Sequence, residues 1–493
     1  MHKTRARRVS VVVVGLSMFA AACGSSKTTS STATTTGTAT TAAGSTTATA
    51  TTAATTGAAG TTTATATTTA STGAAGSTAA PKPGQKGALE GMKGTTPLVK
   101  LSDDFKKRVM DNWTKEGNAT FADFNYTAET YDAVTIIALA AQQAKTDGIG
   151  YTKFINGITG GDGGKGTACN SFKTCNDLIT AGTQPHYQGA GGDYVFSGNG
   201  EPTKASYGVL QFGSNDHIDD TKTQFVTAQA PANKAFEAQT PVDGTRAGDG
   251  TLKIATLLPQ TGSLAFLGPP EFAGFDLAIA DINAAGGVLG KNVETVKGDS
   301  GDATTDTASK TVDSELSQNV DAIVGAASSG VSLSVIDKIT AAGVVMFSPA
   351  NTSKALSTYA DHGLYFRTAP SDILQGAVLA QVIQSDGNAT VGIIARNDSY
   401  GSGLSADLKT DLEAAGVKVV DLKLYDEKAT SFDAEVDALK ADNPDAIAII
   451  GFDESSKILA NMVEKGIGPK VKKVYGCDGN IGSALGDTFD AGK

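Results

Sequence analysis

Side chains able to do chemistry gather at four places in the second half of the chain, each directly after a short strand-forming run. Ser328-Ser329-Gly330 follows DAIVGA, and Ala350-Asn351-Thr352 follows GVVMFS. Asn397-Asp398-Ser399-Tyr400-Gly401 follows TVGIIA, and Asp478-Gly479 follows KKVYG. The first two clusters offer hydroxyls and the start of a helix, a combination suited to a carboxylate. The last two offer Tyr400 and Asp478, suited to an ammonium group. Ser and Thr at such places also cap helices, so each hydroxyl taken singly has that second reading.

Other chemistries find less support. The four histidines, His2, His186, His217 and His362, are scattered, with no HExxH and no paired Cys-x-x-Cys, so zinc catalysis is not indicated. The run GGDGGKG at 160–166 has the glycines of a phosphate loop, but Lys165 is followed by Gly166 rather than Ser or Thr, which favours a mobile loop beside Cys169. Gly298-Asp299-Ser300-Gly301 has part of a nucleophile elbow, yet Asp302 stands where the second glycine belongs. The sequence therefore points away from an enzyme, and no metal or cofactor is implied.

The elements that must carry the four clusters follow from periodicity. Strands are expected at 252–258, 321–326, 343–348, 390–395, 418–425, 445–451 and 472–476. Between them lie helical patterns: Phe272, Phe275, Ile279 and Ile282 share one face, ended by Gly286-Gly287. Ser371-Asp372 opens another helix, with Gln375 near a capping-box position. Further helices are expected over 402–415, 432–441 and 454–465. Regular β-α-β-α alternation makes an α/β fold with parallel sheets covered on both faces. In such sheets ligands bind beyond the carboxyl ends of the strands, where the four clusters fall. The stretch Phe366-Arg367-Thr368-Ala369-Pro370 separates two βα series and is the expected crossing between two lobes, one about 251–368 and the other about 370–493.

The segment upstream has a helix over 131–144 and two strands, 192–196 and 207–212, around a Gly-Asn-Gly turn. It opens on the strand-like run GALEGMKGTTPLV, while the downstream segment ends at Phe489-Asp490-Ala491-Gly492-Lys493 without a closing element. Joining Lys493 to Gly87 gives one uninterrupted α/β protein, so the order expected is circularly permuted. Residues 130–190 then complete the first lobe, 87–128 and 191–215 the second, and 216–250 is the joining loop. A fusion of two truncated gene pieces is the alternative.

The N-terminus has the form of an export signal. Lys3, Arg5, Arg7 and Arg8 precede an apolar run at 9–22, too short to span a membrane permanently. It ends Phe-Ala-Ala-Ala-Cys23-Gly-Ser-Ser, similar to a bacterial lipobox, which implies cleavage before Cys23 and acylation of its thiol; an ordinary signal peptide with a stray cysteine is the other reading. Residues 24–80 are almost entirely Thr, Ala, Ser and Gly, with too few apolar side chains to offset the entropy of ordering. As a flexible tether such a tract spans roughly 40–50 Å. The net charge of −11 argues against nucleic acid as a partner. Cys169 and Cys175 suit a small-loop disulfide in an exported chain, with two free thiols as the alternative, and Cys477 is left single.

At the four polar clusters the resemblance to a family becomes specific. IATLLPQTGSLAFLG, LAIADINAAGGVLGKNVE, VDAIVGAASSGVS, FSPANTS, YFRTAPSD and RNDSYGSGL resemble the type I periplasmic binding proteins, nearest the leucine/isoleucine/valine-binding branch that serves ABC importers. The match covers nearly all of 251–493, and 87–215 resembles the family's C-terminal part, notably in ETYDAV. The resemblance implies two Rossmann-like lobes that close on a small amino-acid-like ligand and then dock on an ABC permease. It implies a ligand carboxylate held by Ser328, Ser329, the Ala350 backbone and Thr352, with Tyr400 and Asp478 on the α-ammonium. Here Asp478 stands in place of the family's longer Glu. The place implied is extracytoplasmic, on a membrane lipid through Cys23. Lobes of this kind also serve as ligand sensors that signal through a partner protein.

Overall fold

The computed structural model describes residues 86–161, 164–230 and 246–492. Cys23, the export signal and the Thr/Ala-rich tract lie outside the described residues, as do Lys493, positions 162 and 163 of the glycine-rich run, and part of the expected joining loop.

The upstream segment contains β1 (Lys93–Pro97), α1 (Asp103–Lys115), α2 (Thr127–Ala144) and α3 (Thr152–Ile158). It continues through β2 (Thr167–Cys169), α4 (Phe172–Thr180), β3 (Pro185–Tyr187), β4 (Lys204–Gln211) and β5 (Gln224–Gln229). Downstream come β6 (Lys253–Leu258), α5 (Gly268–Ala284), β7 (Glu294–Asp299), α6 (Thr307–Ser317), β8 (Ala322–Gly325), α7 (Ser329–Ala341), β9 (Val345–Ser348) and β10 (Tyr365–Arg367). The rest is α8 (Asp372–Ser385), β11 (Thr390–Arg396), α9 (Gly401–Ala414), β12 (Lys418–Tyr425) and α10 (Asp433–Asp442), then β13 (Ala446–Ile450), α11 (Ser455–Glu464), β14 (Lys473–Gly476) and α12 (Ser483–Asp490).

Two main sheets result. A five-stranded parallel sheet runs β10-β9-β8-β6-β7, and a seven-stranded sheet runs β12-β11-β13-β14-β1-β4-β5. Strands β8, β9 and β13 are buried along their whole length, as central strands covered by helices on both faces must be. The upstream strand β1 lies inside the second sheet, parallel to β14 (Lys93 opposite Tyr475) and antiparallel to β4. Ala88, Leu89 and Met92 share one apolar cluster with Leu485 and Phe489 of α12. Asp216, buried, accepts hydrogen bonds from the backbone N–H of Gly87 (2.5 Å) and Leu89 (2.8 Å), fixing the entry to this sheet.

The first lobe is completed from upstream as well. Helix α2 is buried over most of its length and packs on α5, which its run of small alanines permits. At the crossing, a Cβ on Gly274 would stand 2.2 Å from the Thr127 carbonyl oxygen, so only glycine fits there. Phe196, Phe347 and Phe366 pack ring to ring in the same core, which ties the upstream loop to β9 and β10. The chain passes between the lobes three times, at 98–102, 197–203 and 368–371. Glu201 on one crossing and Arg367 beside another form a fully buried ion pair. Arg367 also donates to the carbonyls of Asn351 (3.2 Å) and Ser353 (2.9 Å).

Several elements differ from expectation. Helix α1, expected with the second lobe, packs on α5 of the first: Phe105 and Val109 join its core, and Arg108 pairs with Asp281. Residues 224–229, expected in the joining loop, form the edge strand β5 beside β4. Residues 192–196 form no strand, because the loop before them wraps a buried carboxylate: Asp132 accepts from Ala190 N–H (2.9 Å), Gly191 N–H (2.6 Å), Tyr187 (2.5 Å) and Tyr194 (2.7 Å). Only a single bridge joins Phe196 to Pro202. Near its C-terminal end the chain folds as α12, an element the sequence reading lacked. Cys169 and Cys175 are joined in a disulfide that ties β2 to α4.

Candidate ligand-binding site

The wall from the first lobe is built by the turns after β8 and β9, which lock each other. Ser348 donates to the Ala326 carbonyl (2.7 Å) and accepts from the N–H groups of Ala350 (3.2 Å) and Asn351 (2.9 Å). Asn351 donates to the carbonyls of Ala326 (2.9 Å) and Ala327 (2.8 Å), and Tyr365 holds its other side-chain atom (3.0 Å). Ser328 caps α7 by accepting from Val331 N–H (3.4 Å). Ser329, the first residue of α7, accepts from Ser353 N–H (3.3 Å) and faces the cavity between the lobes. The Thr352 hydroxyl is buried there, next to the Asp372 carboxyl.

The opposite wall centres on Asp478, which follows β14. Its Oδ1 accepts from the Tyr400 hydroxyl (2.7 Å) and Gln375 Nε2 (2.8 Å), and its Oδ2 from the Tyr126 hydroxyl (2.8 Å). Its own backbone N–H also helps to hold the charge, and no cation pairs with it among the described residues. Tyr400 is held by a stack of its own. Its ring lies on Phe452 at 5.4 Å and 22°, and the Arg396 guanidinium sits 4.0 Å above the other ring. Arg396 is fixed in turn by Asp398 (2.9 Å) and Glu454 (2.7 Å). Tyr126 adopts a left-handed backbone (φ 60°) immediately before α2, which turns its hydroxyl toward Asp478.

Electrostatics make this wall sensitive to what it faces. Burial pushes the Asp478 carboxyl up from its ordinary value, opposed by the hydrogen bonds from Tyr400, Tyr126 and Gln375. Burial, then the nearby Asp478 charge, holds Asp372 well above the carboxylate range. Burial and Asp478 likewise raise Tyr126 and Tyr400, so both stay protonated donors. Burial also raises the Cys477 thiol, 3.0 Å from the Tyr400 hydroxyl, which leaves it unreactive. A donor cation entering this space would pair a charge that is otherwise costly to bury.

Ser329, Ala350, Thr352, Tyr400 and Asp478 all line one cavity, whereas Ser328 stays in its capping role outside the lining. The Ala350 N–H is directed to Ser348 rather than into the cavity. Tyr126, Leu264, Leu267 and Phe452 also line it and had not been singled out. Phe452 follows β13 and falls under the same strand-end rule. Gln375, expected to cap α8, reaches Asp478 and the Thr95 carbonyl (3.2 Å) instead. The lobes meet closely: Ser353 donates to the Ser399 carbonyl (2.7 Å), Lys354 pairs with Asp407 (2.5 Å), and Asp372 N–H donates to the Thr352 carbonyl (2.7 Å). The space left is about 10 Å³, while a single water needs ~10–15 Å³. Among the described residues no cluster of metal-ligating side chains occurs, and no helix is long and apolar enough to cross a membrane.

Comparison with known proteins places this arrangement. Residues 251–488 match the family described as periplasmic binding protein, and residues 49–215 match the receptor family ligand binding region. The leucine-, isoleucine-, valine-, threonine- and alanine-binding protein of Pseudomonas aeruginosa is 31% identical over 192 residues, covering 38% of this chain and 51% of that protein. Leu/Ile/Val-binding protein homolog 7 of Brucella abortus is 26% identical over 253 residues, covering 49% of this chain and 61% of that protein. Among solved structures, the branched-chain amino acid transporter substrate binding protein LivJ from Streptococcus pneumoniae, in complex with isoleucine, is 28% identical with a TM-score of 0.44, covering 48% of this chain and 67% of that one. The alignments thus span about half to three fifths of these two curated relatives. The chain belongs to the type I periplasmic binding proteins.

Proposed function

We propose that this protein captures a small α-amino acid, or a close analogue, in the cleft between its lobes and delivers it to an ABC permease. The observation that carries the reading is Asp478: a buried carboxylate held by three uncharged side-chain donors, with no cationic partner among the described residues, across the cleft from the Thr352 hydroxyl and from Ser329 at the start of α7. A zwitterion satisfies both walls, its ammonium on Asp478 and Tyr400 and its carboxylate on the hydroxyls and helix N-terminus. The lobes part about the three crossings to admit it and close over it. Molecules lacking either charge are rejected because they leave a buried group unpaired.

In this reading the mature chain is held outside the cytoplasm by acylated Cys23, with the Thr/Ala-rich tract as tether, and the order of segments is circularly permuted. The parallel pairing of β1 with β14 supports that order. A thermal-shift screen with leucine, isoleucine, valine, threonine and alanine, with amides and aromatic acids beside them, tests the ligand class. A binder at 100 times its dissociation constant adds about 2.7 kcal/mol of stability. Stabilisation by none of the amino acids would overturn the reading.

A further inference from the structure

A second cavity, of about 160 Å³, shares no lining residue with the cleft. Its walls come from all three crossings: Val99, Thr368 and Pro370 on two of them, and Lys204 and Ser206 where the third enters β4. At ~10–15 Å³ per water centre, it has room for a small organic molecule. Glu129, in the first turn of α2, lines it and is 6% exposed. Its carboxyl meets its own backbone N–H and no other described partner. The other carboxylate of the lining, Asp193, is already paired with His186 (2.8 Å) and Lys204 (3.1 Å).

We propose that this hinge cavity is a second ligand site, which takes a small primary alkylammonium ion with its charged end on Glu129 and its alkyl end against the proline and valine walls. A buried carboxyl without a cationic partner is costly in its charged form, and an ammonium removes that cost. The pH behaviour agrees. Burial, with Asp132 on the same helix adding to it, pushes the Glu129 carboxyl up to about 8. The groups facing it from neighbouring elements, Glu271 on α5 and the tyrosines Tyr126 and Tyr194, bring no positive charge. Lys204 is the cation of the lining, and Asp193 holds it. Uptake of an ammonium therefore expels the Glu129 proton, so affinity rises with pH toward and through that value. Because the walls belong to the crossings, an occupied cavity also resists hinge bending.

The test is thermal unfolding of the full chain with ethylammonium chloride, against sodium and tetraethylammonium chlorides at equal ionic strength. Ethylammonium alone should raise the midpoint with dose, and more in alkaline than in acidic buffer. Glu129→Gln should abolish the shift. Thr227→Phe, on the exposed edge strand at the cavity mouth, should abolish it too and serves if the first variant does not fold. Asp478→Asn should retain it, which separates this site from the cleft. A shift that survives in a folded Glu129→Gln or Thr227→Phe variant, that tetraethylammonium reproduces, or that Asp478→Asn removes would overturn the assignment.

Discussion

Replacing Asp478 with asparagine removes one charge and little else. In the wild type, Oδ1 takes hydrogen bonds from Tyr400 and Gln375, and Oδ2 takes one from Tyr126. Gln375 Nε2 can only donate, so the amide oxygen of the variant must face Tyr400 and Gln375. The amide nitrogen then faces Tyr126, whose hydroxyl turns to accept. All three contacts survive. What is lost is the pairing of a buried carboxylate with a ligand ammonium, and breaking such a pair costs about 2–5 kcal/mol. At ~1.4 kcal/mol per decade, that is a loss of affinity between about 30-fold and several thousand-fold. Calorimetry with the amino acid the wild type binds most tightly measures it. Stability should move the other way. Burial holds the Asp478 carboxyl above its ordinary value, so the folded wild type takes up a proton that the unfolded chain does not, and it loses stability as pH rises out of the acid range. The variant lacks that loss and should be at least as stable at neutral pH. A folded Asp478→Asn protein with wild-type affinity would refute the placement of the ammonium.

Two further outcomes follow from buried charges away from the cleft. Arg367→Met strands Glu201 at the hinge, which should cost about 3–5 kcal/mol in urea unfolding; Arg367→Met with Glu201→Leu should recover much of it, and equal loss in the single and double variants would refute the pairing argument. Glu315 is buried with both oxygens unpartnered, and burial alone pushes it up to about 8. Wild-type stability should therefore fall by up to ~1.4 kcal/mol per pH unit as pH rises from the ordinary glutamate value toward 8, then level off, whereas Glu315→Gln should show no such fall. Parallel urea-unfolding profiles for the two proteins would refute it.

The alternation of strands and helices was legible because parallel strands covered on both faces are continuous apolar runs, such as AIAII in β13. The polar clusters were legible for the same reason, since they interrupt those runs at strand ends. What escaped were contacts with no local signature. Gln375 sits three residues after Asp372, near a capping-box position, but its real partner, Asp478, lies 103 residues away. Tyr126 precedes a helix and nothing in its neighbours announces a left-handed backbone. Strand β5 is an edge strand whose side chains mostly face solvent, with Phe225 42% exposed, so its composition resembles a loop. Helix α1 was assigned to the wrong lobe because its sequence shows an apolar face and not the core that receives it.

The place of β1 between β14 and β4 has a consequence for biogenesis. Lys93 leaves the ribosome long before Tyr475, the residue opposite it. Until then that flank of the strand exposes unsatisfied backbone groups, an invitation to aggregate. Closure of the sheet must await all of the chain between the two strands, and a contact of such long range slows folding. A chain of this build gains from being kept unfolded until both strands have emerged.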